Sequence, residues 1–292
     1  MANARKINLV FTGKPVTEGA GVHLQRAFGF SEVPLFDPFL LLDDFRSDNP
    51  ADYRKGFPWH PHRGIETITY MLQGSVEHGD SIGNRGIITA GDVQWMTAGS
   101  GIIHQEMPFG DRNGFMGGFQ LWANLPASQK MTPPRYRDIT AAQIPKMRLD
   151  NGVEIHIICG RLGNTAGPVN DIAIDPEYLD ITIPAGIAYT HPVRKGHTAF
   201  AYIIAGKGVF CPADEPFASE TEPFPENGTL ILFTDGDTIC VKTADVPVRF
   251  LLISGKPLHE PVAWHGPIVM NTGAELRQAF EDYGNGTFLR HG

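Results

Sequence analysis

From His60 to Leu72 the chain alternates: His60, His62, Glu66, Ile68, Tyr70 and Leu72 hold even positions, and Arg63, Thr67 and Thr69 hold odd ones. A period of two sends the first set to one face of a strand and the second to the other. The segment therefore predicts one strand with an interior and an exterior, ended by Gly74. More short strands follow, punctuated by Gly79, Gly83, Gly86 and Gly91-Asp92. Between Pro126 and Pro145, Pro133 and Pro134 interrupt a stretch with few apolar residues, the pattern of a linker or a surface-hugging connection. A second series of strand-like runs then covers Val153 to Cys159, Leu179 to Ile183, Thr198 to Ile204, Thr229 to Phe233 and Val248 to Ile253.

The two series read as a degenerate repeat. Tyr70-Met71-Leu72-Gln73-Gly74 is echoed by Tyr202-Ile203-Ile204-Ala205-Gly206, and the run Gly91 to Gly99 is echoed without a gap by Gly228 to Gly236. Two matches in the same order predict a duplicated all-β unit, with domains at 1–135 and 136–292. The end of the chain differs. Thr272 followed by Glu275 fits a capping box, and Leu276, Ala279, Phe280 and Tyr283 then fall at helical spacing before Gly284. This predicts a short amphipathic helix packed on the second domain.

Composition agrees with strands joined by turns: 33 Gly and 23 Pro in 292 residues. A formal charge of −8 without Lys/Arg clusters leaves no electrostatic footprint for a phosphate backbone, which argues against nucleic-acid binding. The opening MANARKINLV lacks the apolar core of a signal peptide, and no apolar run approaches a membrane span. Cys159, Cys211 and Cys240 form no CxxC pair and read as buried, reduced thiols of a cytoplasmic protein.

Two pairs of ligand-type residues stand out: His60 with His62, and His104 with Glu106, each at i and i+2. On a strand that spacing aims both side chains at one face. If the strands are barrel neighbours, four donor groups converge. Imidazole nitrogen and carboxylate oxygen suit a borderline divalent ion, Fe(II) first, with Mn, Co, Ni, Cu and Zn as alternatives. Three neutral imidazoles and one carboxylate would leave the site about one charge positive and able to accept an anionic chelating substrate. A structural zinc would tend to close with cysteines, and none lies near either pair. A lone His-x-His occurs on surfaces by chance; two such pairs beside glycine-rich turns are a stronger signal. Parity also places Glu66 inside, as a fifth candidate.

Here the residues resemble a known family. The runs Gly56 to Thr67 and Gly91 to Pro108 look like the pirin signature, as do Gly255 to Pro261 and Gly266 to Thr272, so the resemblance covers nearly the whole chain. It implies a bicupin: two stacked antiparallel β-barrels of jelly-roll type with a short C-terminal helix. It implies one metal, usually iron, held by the residues at His60, His62, His104 and Glu106. For several members it implies quercetin 2,3-dioxygenase activity, and for others a role as a metal-responsive protein-interaction or transcription cofactor. The usual cupin carboxylate would be Glu66; the pirin resemblance favours Glu106, leaving Glu66 to orient a histidine or to bond to backbone.

In the repeat alignment His60, His62, His104 and Glu106 correspond to Pro192, Arg194, Val241 and Thr243, so the second domain is expected to hold no metal. His191 and His197 read as surface or packing residues, and His23, His78, His156, His259, His265 and His291 as surface or hydrogen-bonded ones. Tyr70, Trp95, Phe119 and Trp122 could line a pocket for a planar substrate, although barrel aromatics are usually core. The expected function is metal-dependent dioxygenation of a flavonol or other enolic substrate by dioxygen, with Glu106 as ligand and general base. A non-catalytic metal-sensing protein and a metal-storing barrel without turnover are the other readings. A monomer is expected, and a protein partner leaves no readable mark.

Overall fold

The computed structural model describes residues 3–211 and 225–290. Up to residue 139 the strands are β1 (Ile7–Thr12), β2 (Lys14–Glu18), β3 (Val22–Phe28), β4 (Phe39–Asp44), β5 (Phe57–His62), β6 (Ile65–Gln73), β7 (Ser75–Asp80), β8 (Arg85–Thr89), β9 (Val93–Thr97), β10 (Ile102–Phe109), β11 (Gly117–Asn124) and β12 (Arg135–Ile139). An antiparallel seven-stranded sheet runs in the order β12-β9-β6-β11-β4-β3-β2, and an antiparallel four-stranded sheet in the order β5-β10-β7-β8. Apolar side chains of both sheets share cores. Met71 of β6 meets Val76 and Ile88 of β7 and β8 in one, and Ile65 and Met96 meet Ile102 of β10 in another. Each such side chain, fully buried, contributes about 1.5–3 kcal/mol.

The alternation beginning at His60 does not run through to Leu72. Gly64 has φ +80°, and a Cβ there would lie 1.9 Å from the Val269 carbonyl oxygen, so only glycine fits. The chain turns at this residue: His60 and His62 lie in β5 of the small sheet, and Ile65 onward lies in β6 of the large one. The break also resets the parity. Thr69, an odd position, shares a cavity with the histidines, whereas Glu66, Ile68 and Tyr70 take the opposite face. The expected single strand is thus corrected to two, with the interior face of β6 formed by the odd residues.

The second sheet system follows the repeat. Strand Thr198–Gly206 pairs with Thr229–Phe233 so that Tyr202 lies opposite Leu230 and Phe200 opposite Leu232. In the first system Tyr70 lies opposite Val93 and Ile68 opposite Trp95. These are the same positions in the repeat alignment, so the duplication extends to strand register. Its core includes Ile155, Leu179, Ala201, Ile231 and Phe250. Among its buried polar groups, His191 is bonded to Glu177 and to the Tyr189 hydroxyl, each at 2.9 Å. Cys159 is buried, while Cys211 and Cys240 are half-buried.

The two compact units are not consecutive halves. One comprises Lys14–Gln143 with Leu258–Gly292, and the other Met1–Gly13 with Ile144–Pro257. A single cut after residue 135 does not describe them, because β1 pairs with Thr229–Phe233 and the C-terminal segment returns to the histidine-bearing unit. That segment forms a hairpin, Ala263–His265 with Ile268–Met270, and a helix, Gly273–Gly284. Thr272 and Glu275 make the expected capping box. The helix packs on the first sheet system rather than the second: Asp282 bonds to Arg63 at 2.7 Å, and Ala279 lies in a core with Ile268 and Phe288. His291 lies outside the described residues. No described helix is long and apolar enough to cross a membrane.

Candidate metal centre

Strands β5 and β10 are antiparallel neighbours with His60 opposite His104 and Ile102 opposite His62; an irregularity follows between His104 and Glu106. This register brings the ligand atoms of His60, His62 and His104 within 4.8 Å of one another. Ring centroids are 4.4 Å apart for His60 and His104 and 4.9 Å for His62 and His104.

The imidazole roles follow from their partners. His60 Nδ1 donates to the Pro58 carbonyl at 2.8 Å, and His62 Nδ1 donates to the Pro267 carbonyl at 3.0 Å. Carbonyl oxygens only accept, so both Nδ1 atoms carry the hydrogen. The two Nε2 atoms then turn lone pairs towards each other across 3.0 Å. A shared proton would relieve that contact, but burial pulls the pKa of His60 down and that of His62 well down, the latter also through the neighbouring His60. His104 is fully buried, its pKa well lowered by the same cause, and among the described residues neither ring nitrogen has a hydrogen-bond partner. Neutral imidazoles with converging, unsatisfied nitrogens are the form a cation takes. The three-histidine cluster fits a divalent metal ion.

Glu106 does not enter the 4.8 Å group. It is buried on the same strand, and its Oε1 accepts a 3.0 Å bond from the Thr69 hydroxyl, which also contacts Gln120 at 2.7 Å. Glu106, Thr69, Gln120, His60 and His62 line one cavity of about 660 Å³. Trp122 forms part of its wall, edge-on to His62 at 5.0 Å, with Trp264 at 5.9 Å from Trp122 and Phe30 at 5.5 Å from Trp264. Elsewhere on the wall Arg26 grips Asp43 through two bonds of 2.8 and 2.7 Å and pairs with Glu18.

Of the four aromatic candidates, Trp122 lines the cavity. Tyr70, Trp95 and Phe119 are buried and, by strand alternation, face away from it. Glu66 is also off the cavity. It accepts bonds from Trp95 Nε1 at 3.1 Å and Thr97 Oγ1 at 2.8 Å, and burial raises its pKa. It therefore ties β6 to β9 through side chains, neither orienting a histidine nor bonding to backbone.

His78 is hydrogen-bonded, as expected, and lies close to the cluster. His78 on β7 is buried, with its ring 5.4 Å from His104 and stacked on Tyr136 at 4.4 Å. Its Nε2 donates to Asp80 at 3.2 Å, and its Nδ1 accepts from Gln94 at 2.7 Å. His78 and Asp80 are another i, i+2 pair and lie opposite Glu106 and His104. The C-terminal segment supplies Trp264, His265, Gly266 and Pro267 to the cavity, and no local pattern announces that.

Residues 21–123 match the family described as Pirin, and residues 178–289 match the Pirin C-terminal cupin domain. A Pirin-like protein of Caulobacter vibrioides is 43% identical over 285 residues, which cover 97% of this chain and 99% of that one. Pirin of Homo sapiens is 40% identical over 288 residues, with 98% and 94% covered. The crystal structure of quercetin 2,3-dioxygenase from Acinetobacter baumannii matches with a TM-score of 0.85 at 32% identity, covering 98% of each chain. With two cupin domains in the expected order and relatives aligned from end to end, the chain belongs to the pirin family.

Proposed function

We propose that this protein is a metal-dependent dioxygenase of flavonol-type enols, with a single ion, Fe(II) in the first instance, held by His60, His62, His104 and Glu106. The observation that carries the reading is the cluster of three neutral imidazoles, with converging Nε2 atoms on His60 and His62 and an unpartnered His104 among the described residues, at a cavity with an aromatic wall and a buried carboxylate. The A. baumannii relative bearing the name quercetin 2,3-dioxygenase supports the substrate class. A divalent ion bound there supplies Lewis acidity towards an enolate oxygen and redox access to dioxygen.

The chain's own groups do the rest. Trp122 and Trp264 offer faces and edges on which a planar ring system packs. Glu106 takes the proton of the enolic hydroxyl, and the Thr69 hydroxyl holds its Oε1 in place for that transfer. The cavity removes the bound ring from bulk water, which strengthens each of these polar contacts. A dioxygenase delivers both oxygen atoms of one dioxygen to its products, so uptake reports turnover directly.

Oxygen uptake with quercetin by the Fe(II)-loaded protein tests the reading. We expect turnover in the unmodified protein and a loss of at least about 100-fold in Glu106→Ala, the usual scale of a general base. Loaded protein that consumes no oxygen with quercetin or other enols would contradict the reading and favour a metal-sensing role. Full activity in Glu106→Ala would remove Glu106 from the chemistry.

A further inference from the structure

We propose that the Pro267 carbonyl is a positioning group for the metal centre, which makes the C-terminal segment a working part of the site 205 residues away in sequence from His62. The inference rests on the metal reading above. His62 can face the centre through Nε2 only if Nδ1 keeps its hydrogen, and the acceptor that fixes this is the Pro267 oxygen at 3.0 Å. His60 solves the same problem within its own strand through Pro58. His62 has no such local partner and depends on a segment that arrives after the whole second unit.

The structure holds that segment in register from several sides. Val269, two residues past Pro267, donates its N–H to the Arg63 carbonyl at 3.1 Å. Its own carbonyl accepts from Lys130 Nζ at 3.0 Å, and the same ammonium bonds to the Gly64 carbonyl and to Asn124 Oδ1 at 2.9 and 2.6 Å. Lys130 is 1% exposed. Buried in this way, it joins the β5–β6 turn to the hairpin strand that follows Pro267. On the other side of the turn, Trp264 Nε1 donates to the Gly266 carbonyl at 2.7 Å. Partners of this kind, on the far nitrogen of a ligating histidine, typically carry 10–100-fold in metal affinity.

The test uses the full-length chain with Co(II) as the probe, titrated against a competing chelator well below the melting temperature. Pro267→Gly keeps the carbonyl and frees the peptide that carries it, and Lys130→Met removes the grip on Val269. Arg249→Met, which breaks the Arg249–Asp180 pair of the other unit, controls for general destabilisation. We expect Co(II) affinity to fall about tenfold or more in the first two variants and to stay unchanged in the third. Spectra of the metal-free protein labelled with ¹⁵N-histidine should show His62 as the Nδ1–H form, mixed with the Nε2–H form in Pro267→Gly. Co(II) binding by the unmodified protein with affinities within twofold in Pro267→Gly and Lys130→Met would overturn this inference alone, as would an Nε2–H His62. Failure of the unmodified protein to bind Co(II) would overturn the metal reading and this inference with it.

Discussion

Replacing Asp282 by Asn should destabilise the histidine-bearing unit by about 3 kcal/mol. Arg63 follows His62 directly and is 2% exposed. Its guanidinium donates through Nε to Ser100 O at 2.7 Å, through Nη1 to Asp282 Oδ2 at 2.7 Å and through Nη2 to Phe288 O at 2.9 Å, and it lies 4.3 Å from the Phe288 ring centroid. Asp282 is the carboxylate of that set. Asn preserves its shape and one acceptor oxygen but leaves the cation buried without a counter-charge. Removing one partner of a buried pair costs roughly 3–5 kcal/mol, and the two remaining carbonyls and the ring favour the low end. At about 2–4 °C per kcal/mol for a domain of this size, Tm should fall by roughly 6–12 °C. Acid supplies an internal check. Bonding to Arg63 holds the Asp282 carboxyl down at about 2, with Gln278 and Arg290 also bonded to it. A folded pKa below the unfolded one stabilises above the unfolded value, near 4, and that stabilisation disappears as pH falls through about 2. The gap between the two proteins should therefore be full at neutral pH and narrow between about pH 4 and pH 2. Thermal unfolding followed by circular dichroism across that range is the assay. A neutral-pH shift below 2 °C, or a gap that persists undiminished at pH 2, would show that Asp282 is not the counter-charge that holds Arg63.

Gly64→Ala should cost about 3 kcal/mol, combining about 1–2 kcal/mol for a left-handed alanine with displacement of the Val269 carbonyl; a variant melting with the parent would show that the turn is not held as described. Glu66→Gln should leave metal content unchanged, because its carboxylate is engaged by Trp95 and Thr97 away from the cavity. Loss of metal in that variant would instead make Glu66 the ligand.

What could be read from the chain and what could not divide along physical lines. Strand spacing is local, so His60 with His62 and His104 with Glu106 declared shared faces before any fold was known. The duplication was legible down to register, since Tyr70 opposite Val93 reappears as Tyr202 opposite Leu230. Parity failed beyond Gly64 because it presumes an unbroken strand, and one positive-φ glycine moved the chain to another sheet and turned Glu66 away from the histidines. The amphipathic face of the C-terminal helix announces that it packs but not on what. Its receptor is decided by Arg63 and Asp282, residues 219 apart that no local pattern connects. Pro267 is invisible for the same reason, since a backbone carbonyl has no residue signature. His78 with Asp80 shows another case, an i, i+2 spacing in the sequence whose place opposite Glu106 and His104 only the strand register reveals.

We propose that one metal ion is held by the imidazoles of His60, which is half-buried, and of His62 and His104, which are buried. The most direct measurement is the iron content per chain after anaerobic loading with Fe(II) and removal of free metal, with His104→Ala alongside the unmodified protein. His104 is the informative position because neither of its nitrogens has another partner among the described residues. One iron per chain is expected in the unmodified protein and almost none in the variant; equal iron in both, or none in either, would contradict a metal site at these histidines.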